Sequence, residues 1–114
     1  YDATDAALEM LRPSITPQDL FVTMDRILRP QGATQGRGDD VGRYGHGLGI
    51  QLTETPSHTD WDATDIVAGM VLTIEPSLVY DDDRLMVAEE NVLVTADGAT
   101  LLTRRAPRDL PVIG

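Results

Sequence analysis

Two apolar, β-branched runs in this chain carry carboxylates where a packed core has no place for charge. Met70-Val71-Leu72-Thr73-Ile74 ends on Glu75 and is closed by Pro76. Leu85 to Thr95 is interrupted by Glu89-Glu90-Asn91. β-Branched content and length predict strands for both runs. A buried carboxylate without a partner costs several kcal/mol or takes up a proton. Three acids on neighbouring strands also repel one another. One divalent cation removes both difficulties, because it pairs the carboxylates and favours their ionised form. A nitrogen ligand is available in Gly45-His46-Gly47-Leu48-Gly49, where the glycines let the backbone come close. Period-two alternation leaves open whether Glu89 or Glu90 faces the core, since both faces of that run are apolar.

The segments around these residues predict an α+β domain. Tyr1 to Leu11 carries Ala6, Ala7, Met10 and Leu11 at helical spacing, with Leu8 beside them, and Arg12-Pro13 stops it. Thr16-Pro17-Gln18-Asp19 has the composition of a helix start, with Leu20, Met24, Ile27 and Leu28 on one face. Pro30-Gln31-Gly32 ends that helix. Gly32 to Gly45 is glycine-rich and reads as loop, with Asp39-Asp40 as a solvated turn. Gly47 to Leu52 reads as a short strand, and Glu54 to Asp65, with His58 and Trp61, as a surface loop. Asp81-Asp82-Asp83 reads as a solvent-facing hairpin tip that lacks the ligand spacing of a calcium loop. Ala96-Asp97-Gly98 marks a tight turn before a return strand over Ala99 to Thr103. Arg104 to Gly114 reads as an extended tail. The expected architecture is two helices on one face of a mostly antiparallel sheet of about four strands, with residues 1–114 forming part of one catalytic domain.

Charge narrows the classes of partner. The net charge is −10 and all nine cations are Arg, so phosphate backbones are repelled overall and no nucleic-acid partner is expected. No run reaches the roughly 18 apolar residues of a membrane span, and no membrane partner is expected. No cysteine is present to form a disulfide. The default expectation is a cytoplasmic location. The first residue is Tyr, which predicts a processed, trimmed or partial chain.

Gly45-His46-Gly47-Leu48-Gly49, Leu72-Thr73-Ile74-Glu75-Pro76 and Glu89-Glu90-Asn91-Val92-Leu93-Val94-Thr95-Ala96-Asp97-Gly98 together resemble the C-terminal half of the catalytic domain of the pita-bread metallopeptidases. That family includes methionine aminopeptidase, Xaa-Pro aminopeptidase, prolidase and creatinase, and the likeness is nearest the prolidase and Xaa-Pro group. It implies a pita-bread fold, present in part, and a hydrolase that activates water at two divalent ions (Mn, Co, Zn or Fe) in the intact protein. It implies His46, Glu75 and Glu89 as metal ligands, with Glu75 also the proton acceptor for the attacking water. Glu90 takes the position of a polar neighbour. The substrate is expected to be a peptide or small molecule, and a homodimer is possible.

Two departures accompany the resemblance. The family's two Asp ligands belong on a hairpin upstream, and Asp2 and Asp5 fall instead within the first expected helix, so the isolated chain is expected to be inactive. The family's second His, which contacts substrate, falls at Thr53; His58, from the following loop, is a possible substitute or a surface residue. These departures keep two alternatives open: a pita-bread enzyme acting on a small non-peptide substrate, and a catalytically silent binding domain of the same fold.

Overall fold

The computed structural model describes residues 1–31, 42–81 and 84–114. Asp39-Asp40 and the Asp82-Asp83 part of the hairpin tip lie outside them. The chain opens with α1 (Asp2–Met10) and α2 (Pro17–Leu28), followed by a single 3-10 turn (Arg29–Gln31). Thr16 starts α2 with a reciprocal cap. Its hydroxyl accepts the Asp19 N–H at 3.2 Å, and its own N–H donates to the Asp19 carboxylate at 2.9 Å. The two helices pack together and bury Ala3, Ala7, Leu11, Leu20, Phe21 and Met24. The seam thus runs through Ala3, Ala7 and Leu11, while Leu8, Met10, Ile27 and Leu28 pack at its rim. Fully burying a side chain such as Leu20 contributes about 1.5–3 kcal/mol.

The helices cover a five-stranded sheet. Its strands are β1 (His46–Gly47), β2 (Glu54–Ser57), β3 (Val71–Ile74), β6 (Glu90–Val94) and β7 (Ala99–Leu101), in the order β2-β1-β3-β6-β7. Every described pairing is antiparallel. β3 and β6 form its centre, with Leu72 opposite Val92 and Ile74 opposite Glu90. Leu72, Ile74, Val92 and Val94 turn to the helices and complete the core with Ile66 and Tyr44. A separate two-stranded sheet pairs β4 (Ser77–Asp81) with β5 (Arg84–Val87). Among the described residues, no helix is long and apolar enough to cross a membrane.

The strand plan differs from the sequence reading in four places. Leu85 to Thr95 is two strands in two sheets, split at Ala88-Glu89, where the Ala88 N–H turns to the Pro76 carbonyl at 3.1 Å. The return strand after Pro76 was absent from the expectation; with that split and edge strand β2 it brings about four expected strands to seven among the described residues. Gly47 to Leu52 continues as strand only through Gly47, and Ile50 and Leu52 are exposed. The segment read as a surface loop instead begins with edge strand β2 and then turns inward, burying His58, Thr59 and Asp62. Asp62 makes this turn possible by accepting the Ser57 N–H at 2.7 Å and the Thr64 N–H at 3.0 Å. His58 is therefore a buried residue and not a surface one.

Candidate active site

The site is organised by the five residues from Arg43 to Gly47. Tyr44 is the peg. Its ring stacks on Phe21 of α2 at 4.9 Å, and its hydroxyl donates to Asp25 at 3.0 Å. Burial, together with that bond to a carboxylate, pushes the Tyr44 phenol well above its ordinary range. The Tyr44 backbone faces the other way. Its N–H donates to the His58 carbonyl at 2.9 Å, and its carbonyl accepts the Glu75 N–H at 2.8 Å. Gly45 follows at φ +137°, and a Cβ there would lie 2.1 Å from the Thr73 carbonyl oxygen and 2.5 Å from the His58 ring. Only glycine fits this crossing, and it delivers His46 beside the end of β3. The His46 N–H is then fixed by the Thr73 hydroxyl at 2.9 Å.

His46 and Glu75 meet in a defined orientation. His46 Nδ1 lies 2.8 Å from the Gly47 carbonyl, which can only accept, so Nδ1 carries the proton and donates it. Nε2 points at Glu75 Oε2 across 3.6 Å. With the proton on Nδ1, the Nε2 lone pair and the carboxylate oxygen are two acceptors turned toward each other. A cation placed between them satisfies both, and a carbonyl-fixed imidazole is the arrangement expected of a metal-ligating His. The His46 side chain is 8% exposed and that of Glu75 29%, so the pair faces a cleft and is not sealed in the core.

That cleft, of about 310 Å³, is lined by Arg43, His46, Leu48, Leu52, Thr53, Thr73, Glu75, Glu89 and Asn91. All four residues singled out from the sequence as ligands or substrate contacts, His46, Glu75, Glu89 and Thr53, therefore line one cavity. Glu89 is exposed toward it, whereas Glu90 is buried on the opposite face of the sheet. Glu90 there accepts the Thr103 hydroxyl at 2.8 Å and lies 3.6 Å from Arg105, which itself pairs with Asp5 of α1. Asn91 brings a side-chain oxygen that is buried and without a hydrogen-bond partner. The donors are thus of the kind that holds a hard or borderline divalent ion: one imidazole nitrogen, carboxylates and a free amide oxygen. They fit such an ion in kind, and His46 and Glu75 fit it in orientation as well. Among the described residues, no three acidic, His or Cys side chains are gathered closely enough to enclose one by themselves.

Four contributors were not singled out by the sequence reading. Tyr44 and Thr73 anchor the ligand pair, and Arg43 and Asn91 line the cleft. Tyr44 and Thr73 carry no sequence signal beyond adjacency to Gly45 and Glu75. Asn91 could have been found from its place beside Glu89-Glu90, and Arg43 from being a cation beside a ligand candidate in a strongly acidic chain.

Comparison with known proteins agrees with this architecture. Residues 1–96 match metallopeptidase family M24. The chain is 38% identical over 112 residues to a putative dipeptidase, YkvY, of Bacillus subtilis, covering 97% of this chain and 30% of that protein. It is 34% identical over 104 residues to the Xaa-Pro dipeptidase of Pyrococcus furiosus, covering 90% of this chain and 29% of the other. The solved prolidase from Pyrococcus furiosus superposes with a TM-score of 0.80 at 31% identity, covering 93% of this chain and 31% of that one. The chain thus spans about 30% of the length of the relatives it matches. Its helices and mostly antiparallel sheet are part of a pita-bread fold, as the resemblance implied. The chain belongs to metallopeptidase family M24.

Proposed function

We propose that the protein carrying this chain is a metal-dependent peptidase of the Xaa-Pro dipeptidase type, with His46, Glu75 and Glu89 as its metal ligands. The observation that carries this reading is the opposition of His46 Nε2 and Glu75 Oε2 at 3.6 Å, with Nδ1 tied to the Gly47 carbonyl. The relatives' printed activities, dipeptidase and Xaa-Pro dipeptidase, supply the reaction class.

Divalent ions (Mn, Co, Zn or Fe), when bound, supply Lewis acidity that acidifies water and polarises a scissile carbonyl. The remaining work falls to the chain's own groups. The Gly47 carbonyl and the Thr73 hydroxyl hold the His46 ring and backbone. Glu75 takes up the proton of the attacking water at Oε1, the carboxylate oxygen that does not face His46. Thr53 donates its hydroxyl to the substrate from the cleft wall. A second ion would need carboxylates beyond His46, Glu75 and Glu89. The proposed setting is cytoplasmic and the proposed assembly a homodimer.

The test is metal analysis and turnover of Xaa-Pro dipeptides by the intact protein, alone and with His46→Ala or Glu75→Ala. Both variants are expected to lose bound metal and activity together; full activity in either one rejects the assignment. Thr53 motivates a second reading, because it lines the cleft where the resemblance places a His that contacts substrate. On that reading the enzyme acts on a small non-peptide C–N or C–S compound, and such compounds belong in the same screen.

A further inference from the structure

We propose that Thr103 is a positioning residue for Glu89: its one hydroxyl fixes the two residues that follow Glu89 and so aims that carboxylate into the cleft. This rests on the reading of Glu89 as a metal ligand and adds the residue that orients it.

The three proposed ligands are braced in different ways. His46 is held by the Thr73 hydroxyl and the Gly47 carbonyl, and Glu75 by its N–H on the Tyr44 carbonyl. Glu89 lies between β5 and β6, where the chain passes from one sheet to the other, and neither ladder includes it. Its anchors are its neighbours. On one side the Ala88 N–H donates to the Pro76 carbonyl at 3.1 Å. On the other side come Glu90 and Asn91, which pair with Ile74 and Thr73 along one edge of β6.

Thr103 acts on the opposite edge of β6. There β7 runs beside β6 only as far as Leu101, opposite Val92. Past that point the Leu102 N–H still reaches the Asn91 carbonyl at 2.8 Å. The Asn91 N–H, however, donates to the Thr103 hydroxyl at 3.2 Å and not to a backbone carbonyl. The same hydroxyl donates its proton to Glu90 Oε2 at 2.8 Å. One oxygen thus extends the ladder beyond the end of β7 and also fixes a carboxylate, using its lone pair and its proton together. Side chains alternate across a strand, so the Glu90 carboxylate, held on the helix face, leaves that of Glu89 to the cleft face. Glu89 there lines the cavity with His46 and Glu75. Glu90 is buried, but Thr103 itself is exposed, so its side chain is not needed to fill the core. An isosteric change at Thr103 removes both bonds and leaves the packing in place.

The experiment titrates the metal-free intact protein with cobalt(II) by calorimetry and records the visible absorption of the bound ion. Wild type is compared with Thr103→Val, Thr103→Ser and Thr100→Val, and with Glu89→Gln as the reference for loss of the ligand. Thr103→Val is expected to weaken cobalt binding roughly tenfold, within the range for groups that orient a ligand, and to change the absorption envelope. Thr103→Ser, which keeps the hydroxyl, should restore both. Thr100→Val, the same change at an exposed residue of β7, should leave both at wild-type values. Unaltered affinity and absorption in Thr103→Val overturn the positioning role, as does equal weakening in Thr103→Ser or Thr100→Val. A loss of affinity that only tracks a lower urea midpoint of the metal-free variants overturns it too, because that is what a purely structural role would give. If Glu89→Gln binds cobalt as wild type does, the ligand reading itself fails, and the positioning role falls with it.

Discussion

The two faces of the central sheet are built from alternate residues of the same strands and have opposite character. On the helix side, Leu72, Ile74, Val92 and Val94 are fully buried, and the acid there, Glu90, is satisfied by Thr103 and Arg105. On the cleft side, Thr73, Glu75, Glu89 and Asn91 meet His46 with acceptors left facing acceptors and an amide oxygen unbonded. The helix face pairs its acid, and the cleft face leaves its acids open to a ligand. Folding alone explains the first. The second offers its acceptors to a ligand.

Adjacent substitutions at the end of β3 should therefore separate cleanly, and this is the largest effect expected. Glu75→Gln should lower kcat in the intact enzyme by roughly 10²–10⁴-fold, the range for loss of a general base, with little change in the urea midpoint. Ile74→Ala, one residue earlier, should cost about 2–5 kcal/mol of stability by leaving a cavity, with activity retained while the protein stays folded. Steady-state kinetics beside denaturant titration reads both. If Glu75→Gln destabilises as much as Ile74→Ala, the contrast between the faces is wrong.

How much of this was legible beforehand follows the same division. The helix start at Thr16-Pro17-Gln18-Asp19 was readable because capping chemistry is local. The Met70–Ile74 strand was readable because β-branched content is local. The choice between Glu89 and Glu90 was not readable from alternation, because Val87, Val92 and Val94 put apolar residues on both sides. It is decided by a long-range event, the departure of the chain from one sheet to the other at Ala88. His58 was misread for a related reason. Polar neighbours suggested a surface loop, but Asp62 ties up the backbone of that turn, and the edge strand before it carries the ring beneath Gly45.

His58 also sharpens the comparison, as a titratable group buried beneath Gly45. Burial pushes its pKa from 6.5 down to about 4; the neighbouring His46 adds to this, and the Thr73 carbonyl and Asp62 oppose it. Above pH 6.5 neither folded nor unfolded chain protonates it, and stability is fully present. As pH falls from 6.5 toward 4, the unfolded chain binds a proton that the folded chain refuses, so stability falls. The loss approaches about 3 kcal/mol, and below the folded value this group adds no further slope. Urea midpoints measured across that window should decline in wild type and decline less in His58→Leu. Identical slopes in the two proteins would remove His58 as the cause.

The smallest effect expected concerns the two neighbouring glutamates. Arg105→Gln leaves Glu90 buried with only Thr103 as its partner and also frees Asp5 and the Tyr1 ring. Because the Arg105 side chain is 21% exposed, water recovers part of the lost interaction, and the expected cost is about 1–2 kcal/mol of stability. Glu89→Gln should cost less than that in stability and far more in bound metal, since Glu89 is exposed toward the cleft. The double variant Arg105→Gln/Glu90→Gln should recover stability relative to Arg105→Gln alone, because a neutral amide is cheaper to bury than an unpaired carboxylate. No recovery would mean that Arg105 acts mainly through Asp5 and Tyr1, holding the tail to α1. In that case the rear face would be closed by the tail's packing, and Glu90 would be a passenger on it.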